Sequence, residues 1–526
     1  MSTIDNIYVL QNLINHVLND NKQLFCAFID FTKAFDYIVR DNLWYKLYRL
    51  GIRGHVLAVI KSMYNHVYSR VKHENSLGTM FESYLGVRQG ECLSPLLFSL
   101  FINDLEEELY IKGAKGIDTG LLKFFLLLYA DDIVIFANSA EEMQDNLNIL
   151  EEHCNKWKLK VNKDKTKVIV FRKGGRLPMN LQFLYQGHPL EIVSTFTYLG
   201  VVFSSGGSLM QATKTLSGQA HKAIFKLRKY LNKFVQITPQ HKIELFDKLI
   251  RSILLYGSEV WGFSKRLPIE RIQTQFLKYV LSVKISTQND FVYSETGRLD
   301  IASQCIINII KYWFKVINMP NNKYARIMYN VMLQDMENRP NKVNWAVHVK
   351  DILTNLGFRY VWIAQGVGNY TSFMTILTQR IKDTFIQNLE SRVSQSSRGL
   401  FYRNIMKFEL QTYLSCVNVQ KFRIALSQLR LSSHRLNIEV GRWSNLDFER
   451  RLCPHCHVLE DEFHFLNECD LYKDIRVKYI PRFYYIRPNM FKTIELVTSD
   501  NSNILRNLAV FVYKAFIIRK NYISLG

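Results

Sequence analysis

The pattern of apolar and polar positions predicts short strands alternating with longer helices over the first 175 residues. Helical spacing predicts helices over residues 42–66 and 94–105, the second opened by Ser94 as N-cap, and Ser139 with Glu142 forms a capping box before a third helix. Four apolar runs predict strands, at residues 24–29, 124–128, 133–137 and 166–171. With the helix over 42–66 set aside as an insertion, the order is strand, helix, hairpin of two strands, helix and strand. That order predicts an α+β fold with a ferredoxin-like sheet.

Three aspartates fall at the ends of neighbouring strands in this arrangement. Asp30 follows the first strand, and Asp131 and Asp132 form the tip of the predicted hairpin. The first strand and the hairpin are neighbours in the middle of such a sheet, so the three carboxylates can meet despite their distance along the chain. Crowded carboxylates take up protons or recruit cations, and hard oxygen ligands select Mg²⁺ or Mn²⁺. Two such ions can activate an attacking 3′-hydroxyl and stabilise the leaving pyrophosphate, which is nucleotidyl transfer.

An isolated Asp-Asp pair usually marks only a turn, but the surrounding motifs favour the metal site. In order and spacing, five motifs resemble successive motifs of the reverse transcriptase palm, namely CAFIDFTKAFD at 26–36, GVRQG at 86–90 with LSP at 93–95, YADD at 129–132, NKDKTK at 162–167 and FTYLG at 196–200. The residues of these motifs are similar to those of non-LTR (LINE-type) retrotransposon polymerases rather than retroviral ones. The same is true of two later segments, LYGSEVW at 255–261 and SHRLNIE at 433–439. The resemblance covers nearly the whole chain.

Carried over position by position, the resemblance implies that Asp30, Asp131 and Asp132 are the catalytic residues and hold Mg²⁺ (or Mn²⁺). The backbone after Asp30 would cradle the triphosphate. Phe35 matches the steric gate of the family, whose ring would clash with an added 2′-hydroxyl and so favour deoxynucleotides. An ordinary core aromatic is the alternative for Phe35.

Other nucleotide contacts also follow from the resemblance. The further nucleotide-binding residues that it implies are Phe31, Arg88, Gln89, Gly90 and Lys165. Gly86 and Gly90 allow the backbone to approach a base pair closely. Arg88 and Gln89 could reach the nucleotide or template, with a solvated loop pair as the alternative. Lys165 is a candidate proton donor to pyrophosphate, and a solvated lysine before a strand is the alternative.

Two segments are expected to hold the primer and the duplex. The alternating segment 194–204 resembles the primer grip, with a plain edge hairpin as the alternative, and its residues are Phe196, Tyr198, Leu199 and Gly200. Residues 211–290 carry 14 Lys+Arg against 5 Asp+Glu. Within them one helical stripe consists of Lys222, Lys226, Lys229 and Lys233. Its place after the palm favours a thumb helix on a duplex backbone over a merely solvated basic face.

A Cys/His cluster follows near the C-terminus. Cys453, Cys456, His464 and Cys469 form a C-x2-C-x7-H-x4-C pattern within 17 residues. Three thiolates and an imidazole close a tetrahedron, so the pattern predicts a structural Zn²⁺ site. A chance cluster, or a site that uses His455 or His457 as a rival ligand, is the alternative. Non-LTR elements often carry such a cluster after the polymerase, and it would hold the basic C-terminal region against RNA or target DNA.

The composition indicates which class of partner the chain binds. The 68 Lys+Arg exceed the 46 Asp+Glu by 22 charges, and a compact chain with such an excess attracts polyanions. Nucleic acid is therefore the expected class of partner, and the resemblance implies RNA template, DNA primer or target, and dNTPs as the particular partners. The N-terminal segment shows no signal-peptide pattern and no apolar run is long enough to span a bilayer, so no membrane partner is expected. A nuclear, and also cytoplasmic, location is expected from the life cycle of the family.

Changes of pattern predict five parts of the chain, which are partial fingers at 1–23, a palm with finger segments and primer grip at 24–205, a helical thumb at 206–294, a helical C-terminal region at 295–450, and the zinc segment with its tail at 451–526. Because the start resembles the middle of the fingers, we expect an N-terminally truncated reverse transcriptase with no endonuclease visible. The expected function is RNA-directed DNA polymerase. The alternatives are an inactive remnant that binds nucleic acid and an RNA-directed RNA polymerase, which Phe35 disfavours.

Overall fold

The structure is a computed structural model that describes residues 2–233, 237–263, 267–339 and 342–525. Within these ranges the strands lie in the N-terminal part and the C-terminal part is mainly helical, which confirms the α+β class and the helical C-terminal region. Across the described ranges, no helix is both long enough and apolar enough to cross a membrane.

The strands are short and all precede residue 205. In chain order they are β1 Leu24–Ile29, β2 Tyr68–Ser69, β3 Lys72–His73, β4 Ser76–Leu77, β5 Phe81–Glu82, β6 Ile117–Asp118, β7 Lys123–Phe124, β8 Leu126–Tyr129, β9 Asp132–Ala137, β10 Lys167–Phe171, β11 Phe183–Tyr185, β12 His188–Ile192, β13 Thr195–Tyr198 and β14 Val201–Ser204.

The helices alternate with the strands at first and then follow one another. The helices up to residue 281 are α1 Thr3–Asn19, α2 Arg40–Arg49, α3 Gly54–Met63, α4 Ser94–Ile102, α5 Leu105–Ile111, α6 Ala140–Trp157, α7 Met210–Leu231, α8 Pro239–Phe246, α9 Ser252–Leu254, α10 Ser258–Trp261 and α11 Leu267–Leu281. Those that follow are α12 Asn289–Glu295, α13 Ile301–Ile317, α14 Tyr324–Asn338, α15 Trp345–Asn355, α16 Arg359–Ala364, α17 Tyr370–Gln395, α18 Leu400–Ile405, α19 Tyr413–Cys416, α20 Gln420–Arg430, α21 Asn437–Trp443, α22 Lys473–Tyr479, α23 Arg482–Tyr485, α24 Met490–Val497 and α25 Ser502–Leu525.

The chain forms two compact units. The first comprises Met1–Ala212, Glu259–Trp261 and Ile309–Gly366, and the second comprises Thr213–Ser258, Gly262–Asn308 and Val367–Gly526. The first unit contains the strands and the three aspartates, and the second contains the Cys/His cluster.

A six-stranded sheet organises the first unit, in the order β11-β12-β10-β1-β9-β8. β1 lies in the middle and pairs antiparallel with both β9 and β10. The predicted first strand therefore lies beside the second strand of the predicted hairpin, which is the neighbour relation on which the meeting of the aspartates depends. β1 is buried along its whole length, as its continuous apolar sequence predicts.

Both faces of this sheet are covered. On one face, Phe25, Ala27 and Ile29 of β1 belong to a core that includes residues of α4 and α6. On the other face, the ring of Phe28 stacks on Phe196 of β13 with ring centroids 4.4 Å apart. Helix α1 is fixed by its buried Asp5, whose Oδ1 accepts hydrogen bonds from Lys315 Nζ at 2.7 Å and the Tyr312 hydroxyl at 3.1 Å. Burial alone would raise the pKa of Asp5, but these contacts hold it below its ordinary value.

Three local predictions were wrong in detail. The helix predicted over 42–66 is two helices, α2 and α3, because Gly51 between them adopts a φ of +87° and Gly54, the first residue of α3, adopts a φ of +56°. The helix predicted over 94–105 ends at Ile102, and Leu93 rather than Ser94 occupies its N-cap position. The Ser94 hydroxyl instead donates to the Arg88 carbonyl at 2.5 Å.

The third helix begins as predicted, but its cap differs from a full capping box. Ser139 Oγ accepts from the Glu142 amide at 3.2 Å. The carboxylate of Glu142 accepts from the amide of Asn138 at 3.1 Å, one residue before the N-cap. The helix is therefore capped by the predicted serine, while the returning bond is displaced by one residue.

The second unit contains a buried ion pair that joins three of its helices. Arg430 and Glu295 are 1% and 0% exposed, and Arg430 Nε lies 2.6 Å from Glu295 Oε1. The guanidinium also donates to the Val497 carbonyl at 2.7 Å and to Gln411 Oε1 at 2.8 Å. The pair thus ties α12 and α20 to the end of α24, and each buried charge has several hydrogen-bonding partners.

Candidate active site and metal centre

The strand register brings Asp30 and Asp132 together. Ile29, the last residue of β1, pairs with Ile133 of β9, so Asp30 follows one strand directly where Asp132 begins its neighbour. Both aspartates line an open cleft of about 620 Å³, whose walls also include Lys165 and residues of β13. The predicted meeting of the first strand and the hairpin tip is therefore present in the structure.

Asp132 lies within the electrostatic influence of both other aspartates, although Asp131 does not itself line the cleft. Desolvation, followed by the negative charges of Asp131 and Asp30, raises the pKa of Asp132 above its ordinary value. Two neighbouring negative charges favour the protonated form of a carboxyl group. A cation bound between the carboxylates reduces their repulsion and stabilises the ionised form. The oxygen-only donor set of Asp30, Asp131 and Asp132 suits Mg²⁺ or Mn²⁺.

The turn that presents the aspartates is strained. Tyr129 pairs with Asp132, which leaves Ala130 and Asp131 as a two-residue turn between β8 and β9. Ala130 has a φ of +50°, in the left-handed region that costs a residue with a side chain roughly 1–2 kcal/mol. Strain of this kind persists only where the surrounding structure enforces it, and it concentrates at functional positions.

Lys165 lies beside the cluster because its loop is tied to the end of β1. The Asp30 amide donates to Thr166 Oγ1 at 3.2 Å, and the Asn162 amide donates to the Asp30 carbonyl at 2.7 Å. Lys165 Nζ lies 3.9 Å from Asp30 Oδ2, and its side chain is 70% exposed. The ammonium group is therefore accessible to solvent and close to any ligand bound at Asp30.

The aromatic residues after Asp30 occupy different environments. Phe31 is 5% exposed, with its ring 6.2 Å from that of Phe98. Its side chain thus belongs to the core, and only its backbone is available to a ligand. Phe35 is half-buried and leans on Phe98, with ring centroids 5.2 Å apart. Part of the Phe35 ring remains open to solvent.

The loop after β5 packs against the Phe35 segment. The Val87 amide donates to the Phe35 carbonyl at 2.8 Å, and Gln89 Nε2 donates to Asp36 Oδ1 at 3.0 Å. Gly86 has a φ of +78°, and a Cβ there would lie 2.7 Å from the Phe35 carbonyl oxygen. Gly86 therefore permits contact with the Phe35 backbone rather than leaving open space for a base pair.

Arg88 and Gly90 differ in their freedom. Arg88 Nη1 lies 2.8 Å from Glu91 Oε1, and its Nη2 donates to the Met63 carbonyl at 2.6 Å. Gly90 is exposed, with a φ of +88° and no atom within 4 Å of a Cβ placed there. Arg88 is therefore held by its own loop, while the Gly90 backbone is accessible.

Sequence reasoning missed Arg40, which joins three segments of this pocket. Its Nε donates to the Gly86 carbonyl at 3.0 Å, its Nη1 to the Tyr64 carbonyl at 3.0 Å and its Nη2 to the Leu85 carbonyl at 3.3 Å. A single arginine at a helix start has no spacing signal, because its partners are backbone carbonyls 24 to 46 positions away.

The predicted primer-grip segment is an antiparallel hairpin. β13 and β14 pair with Tyr198 opposite Val201, which makes Leu199 and Gly200 the turn, at φ of +46° and +79°. Tyr198 is 2% exposed, and burial raises the pKa of its hydroxyl well above the ordinary range. Asn6 of α1, also missed from sequence, donates to the Leu128 carbonyl at 3.0 Å and to the Tyr198 hydroxyl at 3.4 Å. This amide links the hairpin to the strand before Ala130.

The basic helix α7 belongs to the second unit from residue 213 onward. Its apolar stripe is buried, as predicted, through Ile224, Leu227 and Leu231. Lys222, Lys226 and Lys229 are exposed along the helix, whereas Lys233 lies beyond its last residue, Leu231. The predicted stripe is therefore three lysines long, because the helix ends before a fourth.

The Cys/His cluster converges as its spacing predicts. The ligand atoms of Cys453, Cys456, His464 and Cys469 all lie within 4.8 Å of one another. Cys469 Sγ lies 3.9 Å from Cys453 Sγ and 3.6 Å from Cys456 Sγ. The buried His464 Nε2 has no hydrogen-bonding partner within the described ranges, which leaves a nitrogen lone pair available to a metal. Three sulfurs and one imidazole nitrogen suit a soft or borderline metal such as Zn²⁺.

The rival histidines are not part of this group. His455 Nδ1 lies 3.3 Å from the Tyr522 hydroxyl, and the two rings meet edge to face. His457 adopts a φ of +58° in the turn after Cys456. The four residues of the C-x2-C-x7-H-x4-C pattern are therefore the ones that the fold gathers.

Parts of this chain are similar in sequence to known proteins. Residues 2–203 match the family described as "Reverse transcriptase (RNA-dependent DNA polymerase)". The probable RNA-directed DNA polymerase from transposon BS of Drosophila melanogaster is 28% identical over 280 residues, which cover 52% of this chain and 30% of that protein. The retrovirus-related Pol polyprotein from type-1 retrotransposable element R2 of Bradysia coprophila is 27% identical over 210 residues, which cover 38% of this chain and 24% of that protein.

Among solved structures, telomerase from Candida albicans in complex with the TWJ fragment of telomeric RNA aligns with a TM-score of 0.28 and 15% identity, over 62% of this chain and 54% of that one. That score is too low to carry an argument about the fold. The chain spans less than a third of the length of the two transposon relatives. Over residues 2–203 the chain is therefore similar to reverse transcriptase domains, and the relatives that it matches are proteins of transposable elements.

Proposed function

We propose that this chain is an RNA-directed DNA polymerase that adds dNTPs to a primer 3′-hydroxyl with Asp30, Asp131 and Asp132 as its catalytic residues. The observation that carries the proposal is the register of β1 against β9, which delivers Asp30 and Asp132 to one cleft within a reverse transcriptase domain. The sheet around them would be the polymerase palm. Template RNA, a DNA primer or target, and dNTPs are the proposed partners.

The carboxylate cluster is the proposed site of two Mg²⁺ ions, held by Asp30, Asp131 and Asp132. When bound, such ions lower the pKa of an attacking hydroxyl and neutralise charge on the leaving group. The chain itself supplies the positioning. Its strained turn fixes Asp131 and Asp132, while hydrogen bonds from Asn162 and to Thr166 fix the backbone of Asp30.

Lys165 and Phe35 are proposed to act on the nucleotide. Lys165 is exposed, and its Nζ lies 3.9 Å from Asp30 Oδ2, so the ammonium can donate a proton to pyrophosphate that leaves beside Asp30. Phe35 keeps part of its ring open while Phe98 supports the rest, so the ring can exclude a 2′-hydroxyl by contact. Arg88 would have to leave Glu91 before it could reach a nucleotide.

The remaining regions receive proposed roles from their position after the palm. β13 and β14 would hold the primer terminus, through the edge that carries Phe196. α7 would follow a duplex backbone with Lys222, Lys226 and Lys229, within a thumb over residues 206–294. The Cys/His cluster is proposed to bind one structural Zn²⁺, since its four ligands leave no position for a substrate.

Primer extension on an RNA template tests this proposal. With purified chain, a primed RNA and Mg²⁺, wild type is expected to incorporate dNTPs in preference to NTPs. Asp131→Asn and Asp132→Asn should each lower the rate by more than about 100-fold, since even outer-shell changes at metal sites cost 10–100-fold. Asp145→Asn, at an exposed aspartate on α6, is the matched control and should leave the rate unchanged. Unchanged incorporation in the Asp131 and Asp132 variants would refute the assignment.

A further inference from the structure

A basic surface with exposed aromatic rings lies where α23 meets α24 in the second unit. Phe483 is 57% exposed and Phe491 is 74% exposed, although phenylalanine is normally buried. We call this surface the aromatic-basic corner, and its exposed members are Arg482, Phe483, Ile486, Arg487, Met490 and Phe491. An exposed apolar patch rimmed by charge commonly marks a binding surface.

Contacts of Lys492 and Asn489 define the turn between α23 and α24. Lys492 Nζ lies 4.6 Å from the centroid of the Phe483 ring and donates to the Ile486 carbonyl at 2.9 Å. Asn489 caps α24 by accepting from the Lys492 amide at 2.9 Å. Between the helices, Arg487 adopts a φ of +50°, a conformation that an arginine rarely takes. Phe483 and Phe491 therefore lie on either side of a turn that these contacts define.

The corner carries positive charge. Residues 481–492 contain three Lys+Arg and no Asp or Glu. The nearby Glu495 accepts from the Tyr484 hydroxyl at 3.4 Å. Neither Arg482 nor Arg487 forms an ion pair with any residue in the described ranges, in contrast to Arg430 and Arg519 of the same unit, which are both paired with glutamates. Unpaired guanidinium groups beside exposed rings fit a ligand that has both phosphates and flat apolar faces.

The corner is also joined to the Cys/His cluster. Asn467, which lies between the ligands His464 and Cys469, donates to Thr493 Oγ1 of α24 at 2.8 Å. Arg476 of α22 donates to the Cys469 carbonyl at 2.8 Å. The segment that carries two of the four ligands therefore supports the helix that carries Phe491.

We propose that the aromatic-basic corner binds single-stranded nucleic acid, with bases stacked on Phe483 and Phe491 and phosphates bound by Arg482 and Arg487. Stacking on exposed rings suits unpaired bases, because the bases of a duplex are already stacked on one another. RNA and DNA strands share this chemistry. The binding role does not depend on polymerase activity, so a chain that fails to extend primers can still bind here.

Binding is measured by fluorescence anisotropy of the full chain with a labelled 20-nucleotide uridine RNA, the matching thymidine DNA and a DNA duplex. Replacing Phe483→Ala and Phe491→Ala together should weaken binding of both single strands at least about tenfold. Replacing Arg482→Gln and Arg487→Gln should reduce the logarithmic salt slope by about 1.4, since each phosphate contact on a single strand contributes roughly 0.7. The matched control, Arg359→Gln with Tyr360→Ala, changes an equally exposed pair in the first unit and should change neither quantity.

Photo-crosslinking separates this surface from the polymerase cleft. The RNA is made with 4-thiouridine, crosslinked to the full chain, and the attached peptides are identified by mass spectrometry. The proposal expects a crosslinked peptide within residues 481–492, also in the Asp132→Asn variant.

Several results would overturn the proposal. These are crosslinks confined to the first unit, unchanged affinity in the phenylalanine double variant, or stronger loss of duplex than of single-strand binding. Loss of binding to phosphatidylserine vesicles without any loss of RNA binding would instead indicate a membrane surface. If circular dichroism shows that the phenylalanine variant is unfolded, the arginine variant and the crosslink map decide instead. Either of these two results can reject the proposal.

Discussion

Gly86 offers a sharp test of how the nucleotide pocket is assembled, because Gly90 provides a matched control four residues away. Both glycines have a φ in the left-handed region, at +78° and +88°. Substitution by alanine therefore carries the same conformational cost at each position, roughly 1–2 kcal/mol. The two sites differ in their surroundings, since a Cβ at Gly90 meets nothing within 4 Å.

At Gly86 the added Cβ would lie 2.7 Å from the Phe35 carbonyl oxygen and 2.8 Å from the Cα and carbonyl oxygen of Asp36. These are backbone atoms, so the clash cannot be relieved by rotation of a side chain. Overpacking of this kind typically costs about 1–3 kcal/mol. We therefore expect Gly86→Ala to destabilise the first unit by about 2–5 kcal/mol, and Gly90→Ala by about 1–2 kcal/mol.

Hydrogen exchange and kinetics together report this difference. The Val87 amide donates to the Phe35 carbonyl at 2.8 Å, so Gly86→Ala should reduce the protection of peptides that cover residues 84–90 much more than Gly90→Ala does. Primer extension should show a higher KM for dNTPs in Gly86→Ala, because the Phe35 segment must move. Equal protection and equal KM in the two variants would show that the contact between Gly86 and the Phe35 segment does not shape the pocket.

Phe35, the Arg430–Glu295 pair and the Cys/His cluster can each be tested by substitution. Phe35→Val should raise NTP incorporation relative to dNTP in single-nucleotide extension, and an unchanged ratio would remove Phe35 from sugar selection. Arg430→Met should cost about 3–5 kcal/mol in urea unfolding, because it leaves the carboxylate of Glu295 buried without its partner; a cost below 1 kcal/mol would contradict this. Atomic absorption should find one Zn²⁺ per chain, lost in Cys469→Ser but retained in Cys416→Ser, and zinc retention in the first variant would exclude the proposed ligand set.

The features that could be predicted from the sequence depend on residues close together in the chain, such as a run of apolar residues or a short spacing of ligands. The continuous apolar run of β1 and its neighbours predicted the central strands, and that order was enough to bring Asp30 to Asp132. The Cys/His spacing predicted its own cluster, because a ligand pattern within 17 residues constrains its geometry. The break between α2 and α3 was missed because the apolar spacing is helical on both sides of Gly51. The helix ends there because Gly51 adopts a positive φ, which the spacing does not reveal.

Contacts between distant backbone and side-chain groups could not be predicted in this way. Arg40 acts through three carbonyl oxygens, and any residue type supplies a carbonyl, so no pattern of side chains points to them. Similarly, the side-chain amide of Asn6 donates to the backbone carbonyl of Leu128, which is 122 positions away in the chain. The reason for the glycine at position 86 could not be predicted either. A side chain there would clash with the Phe35 backbone, and no contact with a nucleotide is needed to explain the glycine.

The central claim is that Asp30, Asp131 and Asp132 together hold divalent ions beside a nucleotide. A crystal of the chain with primed RNA template, Mn²⁺ and a non-hydrolysable dNTP analogue, measured at the manganese absorption edge, tests that claim directly. We predict anomalous density between the carboxylates of Asp30 and Asp132 and its loss in Asp132→Asn. Density that lies elsewhere while the cleft holds the nucleotide would contradict the claim.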